Sequence, residues 1–137
     1  MTEKKTALDV RELRIVDASG RPRIVLTAET GQPTFRILGE AGTAIVSIAL
    51  DSSGHPSIKL SNPDANLPSA SIEIDAKGAH VKFDKSGGAS SYVFLNNAGE
   101  SGVVLIDKFG ARRLDILLPT IGDAVVQRFG STGDLLP

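Results

Sequence analysis

Asp17-Ala-Ser-Gly20-Arg-Pro22-Arg-Ile24-Val-Leu26-Thr-Ala-Glu-Thr-Gly31-Gln-Pro33-Thr-Phe35-Arg-Ile37 holds two turns of a repeat that runs through the whole chain. An Asp followed three residues later by Gly is type I turn chemistry. With the Gly in the left-handed region it becomes a tight hairpin closed by a bulge. The apolar residues that follow fall at the fourth and sixth places after each Gly, which is the period of a strand with one buried face. One repeat unit is therefore a turn plus a strand.

Working outward, the marker recurs at Gly20, Gly31, Gly42, Gly54, Gly78, Gly88, Gly99, Gly110, Gly122 and Gly133, in steps of 10 to 12 residues with one double step. Asn66 bisects the double step, and Asn is the residue that best replaces Gly where the backbone needs a positive φ. The apolar pairs are Ile24 and Leu26, Phe35 and Ile37, Val46 and Ile48, Ile58 and Leu60, Ile72 and Ile74, Val103 and Leu105, and Leu114 and Ile116. Between them stand polar residues such as Arg36, Ser47, Lys59, Ser71 and Lys82. Asp51, Asp75, Asn96 and Asp107 repeat the role of Asp17, and Pro22, Pro33 and Pro56 mark strand starts. Two slips interrupt the pattern. After Gly78 the apolar pair Val81 and Phe83 arrives one residue early, and Gly87-Gly88 leaves open whether Tyr92 and Phe94 or Val93 and Leu95 face inward.

These features predict an all-β fold of about ten short strands. Turns of about four residues favour an antiparallel meander, a β-prism or barrel-like body, because parallel neighbours need crossovers of a dozen residues or more. A two-sided parallel β-solenoid is the alternative. Residues 1–12 read as an N-terminal arm, 13–129 as a single β-repeat domain and 130–137 as a C-terminal tail. An arm rich in charge and without an apolar middle does not read as a signal peptide, so the chain reads as cytoplasmic, and membership of a virion or extracellular assembly is compatible with that.

The chain has 137 residues, a net charge of −1, no cysteine, no tryptophan and one tyrosine. Basic residues are scattered along the sequence, and no nucleic-acid partner is expected. No apolar run reaches the roughly 18 residues of a membrane helix. The absence of cysteine removes thiol chemistry, and neither His55 nor His80 stands in a Ser/His/Asp context. No phosphate-binding loop or dinucleotide fingerprint occurs. Glu29, Asp51, Asp75, Glu100 and Asp123 fall at one end of a meander, where they could face a hard cation. Asp residues that cap their own turns account for them more simply. No catalytic residue, cofactor or metal ligand is assigned, and the chain reads as non-enzymatic.

A sheet of this kind has an apolar face that must be covered, by closing a barrel, folding into a sandwich or packing against copies of itself. Val93, Leu95, Val104, Ile106 and Leu117 sit on or near the outward positions of the second half, and they are the candidate assembly face. The repeat resembles those in the shafts and stems of viral and phage fibres, where Gly- or Pro-marked turns separate short strands with alternating apolar positions. That resemblance implies a homo-oligomer, with a trimer favoured, serving as a scaffold or attachment module. The other expectation is an up-and-down barrel holding a small apolar ligand among residues such as Leu26, Phe35, Ile48 and Ile74.

Overall fold

A computed structural model describes residues 7–137. It is built from twelve strands: β1 (Glu12–Val16), β2 (Pro22–Thr27), β3 (Thr34–Leu38), β4 (Ala44–Leu50), β5 (Pro56–Leu60), β6 (Ser69–Asp75), β7 (Gly78–Asp84), β8 (Ser90–Asn96), β9 (Ser101–Ile106), β10 (Arg112–Leu118), β11 (Val125–Phe129) and β12 (Leu135–Leu136). They lie in chain order in one sheet, each antiparallel to its neighbours, and no helix occurs among the described residues. The meander expected from the turns is what forms, and the parallel solenoid is excluded. The barrel is excluded as well, because β1 and β12 lie at opposite edges of an open sheet. The two-residue β12 offers too few backbone groups to close a ring with the five-residue β1.

Each hairpin is built locally. In the first, the Asp17 amide donates to the Arg21 carbonyl and the Gly20 amide to the Asp17 carbonyl, both at 2.9 Å. The Asp17 carboxylate accepts from the Ser19 and Arg21 amides at 2.9 and 3.1 Å. Asp51, Asn96 and Asp107 repeat both bonds to the amides two and four residues on. The turn thus satisfies its own backbone donors, which is why Asp or Asn recurs there.

The exceptions explain the slips. The hairpin between β6 and β7 is tighter: Asp75 pairs directly with Gly78, so the strand begins at the glycine itself and Val81 arrives early. Asn66 does not act as a left-handed marker, since among the described residues none other than glycine has a positive φ. The loop around it turns instead through Asp64, whose carboxylate accepts from the Asn66 amide and side chain. The tail also differs from expectation, because Leu135 and Leu136 pair with Phe129 and Arg128 and add a last strand.

The sheet has one layer. Among the described residues the buried hydrophobic side chains are Val25 and Val104. The accessible surface of 10005 Å² compares with about 6,800 Å² for a compact monomer of this mass. Hairpin geometry is complete in one chain, while a hydrophobic core is not.

Two glycine variants separate backbone strain from collision. At Gly54, with φ +81 and nothing near an added Cβ, alanine should cost about 1–2 kcal/mol in a urea unfolding series. At Gly78 the added carbon would lie 2.3 Å from the Leu95 carbonyl oxygen, so the pairing of β7 with β8 must give way and the loss should clearly exceed that at Gly54.

Candidate functional site

The register carries one apolar row across eleven strands without a break: Leu13, Leu26, Phe35, Ile48, Ile58, Ile72, Val81, Val93, Val103, Ile116 and Val126 are successive cross-strand partners. A second row on the same face runs through Ile15, Ile24, Ile37, Val46, Leu60, Ala70 and Phe83, then Ser91, Leu105 and Leu114. Most of these side chains are exposed, with Ile72 and Val93 each at 54%. The apolar face that was expected to form a core is continuous and uncovered.

Register keeps the rows in phase although the turns differ in length. The hairpins at Gly20, Gly42 and Gly110 are each followed by a bulge, in which Arg23, Ile45 and Arg113 are the extra residues opposite Ile15–Val16, Ile37–Leu38 and Leu105–Ile106. At these three hairpins the extra residue brings Ile24, Val46 and Leu114 opposite Ile15, Ile37 and Leu105, whereas the same three-residue turn at Gly54 and Gly99 joins strands already in phase and carries no bulge. At Gly88 no bulge follows, and Val81 faces Val93 while Lys82 faces Tyr92. This settles the second half: Val93 and Leu95 belong to the apolar face, and Tyr92 and Phe94 to the opposite one.

The five residues of the candidate assembly face therefore do not form one patch. Val93 and Leu95 stand with the apolar rows, whereas Val104 pairs with Tyr92, Ile106 with Ser90 and Leu117 with Gly102 on the polar face. Val104 is almost fully covered there. The continuous first row was visible in the sequence as the fourth and sixth positions after each marker. Its extension through Val93 was hidden by the paired glycines.

On the polar face, β7 to β10 surround a hollow of about 700 Å³. Tyr92 and Phe94 form part of its wall, with ring centroids 6.0 Å apart at 49°. Arg112 is held by Asp115 at 2.8 Å, with the Tyr92 hydroxyl 3.4 Å away. Asp115 is 1% exposed, so its pairing with Arg112 offsets a burial that would otherwise be costly. Nothing local marks this grouping, because Tyr92 and Arg112 come together only through the order of the strands.

The turn ends carry the remaining candidates. Asp51 and Asp75 accept from amides of their own turns. His55 faces Asp51 at 3.2 Å, and His80 faces Glu73 at 3.2 Å, each in a separate pair. Among the described residues no group of three His, Asp or Glu is placed to hold a metal ion, and no helix is long and apolar enough to cross a membrane. No protein-family model, curated protein or solved structure matches the chain.

Turn amides hold three carboxyls below the usual aspartate value. The Arg21 amide acts first at Asp17, the His55 amide at Asp51 and the Lys77 amide at Asp75. A carboxyl lowered in the folded state contributes stability above its unfolded value, about 3.9, and loses it as pH falls through the folded value. Urea midpoints should therefore fall as pH drops below about 4. Replacing Asp17, Asp51 and Asp75 together by Asn, which at Asn96 serves the same turn as Asp17 and Asp51, should flatten that acid limb while leaving folding at pH 7 in place. An unchanged acid limb in the triple variant would remove these three groups as its cause.

Proposed function

We propose that this chain is a non-catalytic, self-assembling β-repeat protein, a homo-oligomeric scaffold or attachment module whose chains share one core. The observation that carries this reading is the apolar row that crosses eleven strands and has nothing over it. Twelve strands at about 4.8 Å span about 53 Å, and strands of five to seven residues are about 17–24 Å long. The face is thus about 1,000 Å², above the roughly 800 Å² per partner of a standard stable interface. A second copy of the same face is also the partner best matched in chemistry.

Three copies suit the dimensions best. Three sheets arranged as the sides of a triangular prism, with strands about 17–24 Å long, would stand about 5–7 Å from the axis, close to half of the usual 10 Å sheet spacing. Inward side chains from all three would then meet. Leu50, Ile74, Leu95 and Leu118 continue the apolar face at one end of the strands and are exposed. In a two-sheet sandwich they stand at the open rim, whereas at a prism corner they meet the next sheet. Hydrophobic stabilisation of about 1.5–3 kcal/mol per fully covered side chain would then be supplied by association.

Light scattering coupled to size exclusion tests this directly. Three times the chain mass is expected. A folded monomer would overturn assembly, and a discrete dimer would overturn the three-fold arrangement alone. Ile72→Glu, which places a charge in the middle of the apolar row, should abolish the trimer. Lys59→Glu, on the polar face, should leave the mass unchanged.

A further inference from the structure

We infer that the polar-face hollow between β7 and β10 is a binding site for an uncharged saccharide. It lies on the face opposite the apolar rows, so the inference does not rest on the assembly reading.

The volume of about 700 Å³ falls within the range of about 300–1,000 Å³ typical of small-molecule sites. The only tyrosine of the chain lies in its wall with Phe94 beside it, and aromatic faces are what the apolar side of a sugar ring packs on. β9 has no side chain at Gly102, and Phe94 and Leu117 pack over that position, which seats the Phe94 ring on the sheet. An added Cβ would lie 3.0 Å from a Phe94 ring carbon, 2.8 Å from Leu117 Cδ2 and 2.6 Å from the Ile116 carbonyl oxygen.

The polar groups around the rings decide the class of ligand. Two of the cations in the lining are fixed by carboxylates: Lys82 Nζ is 2.9 Å from Asp84 and Arg112 is fixed by Asp115, while Lys77 stands on the rim and lowers the carboxyl of the neighbouring Asp75 by its backbone amide and also by its charge. His80 shares Glu73 in the same way. Such groups present directional N–H donors with little net positive charge. Asp75 and Glu100 on the rim supply acceptors. Alternating donors and acceptors beside an aromatic surface match the hydroxyls of a neutral sugar. A polyphosphate or sulfated chain would meet the rim carboxylates with no unmatched cation cluster to offset them.

The guanidinium has a defined place in this arrangement. Asp115 Oδ2 holds it from one side and the Tyr92 hydroxyl lies at 3.4 Å on the other, so its position is set before a ligand arrives. Asp115 Oδ1 is buried and has no hydrogen-bond partner, which is the condition expected of a polar group whose surroundings were shaped for more than stability.

Screening the full chain on an array of neutral and acidic glycans, followed by calorimetry with the best neutral oligosaccharide, tests the inference. Saturable binding of a neutral glycan is expected, accompanied by a change in tyrosine fluorescence, which reports on Tyr92 alone because the chain contains no tryptophan. Tyr92→Ala should weaken binding at least about tenfold, in line with about 1.4 kcal/mol or more for a lost ring contact. Tyr92→Phe should retain most of it, and Lys82→Ala, on a half-exposed side chain, should weaken it without altering the circular dichroism spectrum. Failure of every neutral glycan to bind, preference for acidic glycans, or an affinity indifferent to both Tyr92→Ala and Lys82→Ala would overturn the inference.

Discussion

The constraint on which the rest of this structure depends is a hydrophobic face that one chain cannot cover. Backbone hydrogen bonds join each strand to its neighbours, and the turns cap their own amides through Asp17, Asp51, Asn96 and Asp107. None of this buries Ile48, Ile58, Ile72 or Val93, which remain in solvent. Every strand touches only the strands before and after it, so the fold is close to one-dimensional in the manner of repeat proteins. A single layer of this kind has small means to offset the conformational entropy of ordering the chain. Under the proposed assembly, folding and association would be coupled and stability would depend on protein concentration.

A second requirement follows from the first. An uncovered face can serve as a shared core only if it is continuous, and continuity depends on register more than on composition. A shift of one residue in any of eleven pairings would turn the next strand's aliphatic residues to the wrong side. The chain meets this with unequal devices: bulges after Gly20, Gly42 and Gly110, a direct pairing of Asp75 with Gly78, and an unbulged turn at Gly88. The irregular steps between glycines are thus the means by which the apolar row stays in phase.

This explains what could be read from the sequence and what could not. Strand period, turn chemistry and antiparallel order are local properties, and Asp17 to Ile37 contains nearly all of them. The face occupied by Val93 was not local: it depends on whether a bulge follows Gly88, and Gly87-Gly88 permits either. Asn66 was misread because a longer loop through Asp64 removes the need for a left-handed residue. Closure could not be read either, since it depends on the twist accumulated over the sheet and on the length of strands at its two edges. The hollow is the extreme case. Tyr92, Val104 and Arg112 stand on three successive strands, and nothing in their individual settings marks them as neighbours.

The two faces also constrain one another. If the apolar rows lie inside an assembly, the polar face is outward in every copy, and whatever it holds must be stable in water. Most of that face meets this condition with small or charged residues such as Ser47 and Lys59. Between β7 and β10 it does not, since Tyr92, Phe94, Val104 and Leu117 form an apolar cluster there, with Asp115 buried beside it. A sheet selected only for a dry inner face has no need of a second apolar cluster on its wet side, nor of a buried carboxylate held by a single arginine. Burial of an ion pair is seldom stabilising relative to a hydrophobic replacement. On the inference drawn above, its presence beside aromatic rings and paired charges is better explained by the recognition of a ligand on the outer face than by the folding of the sheet.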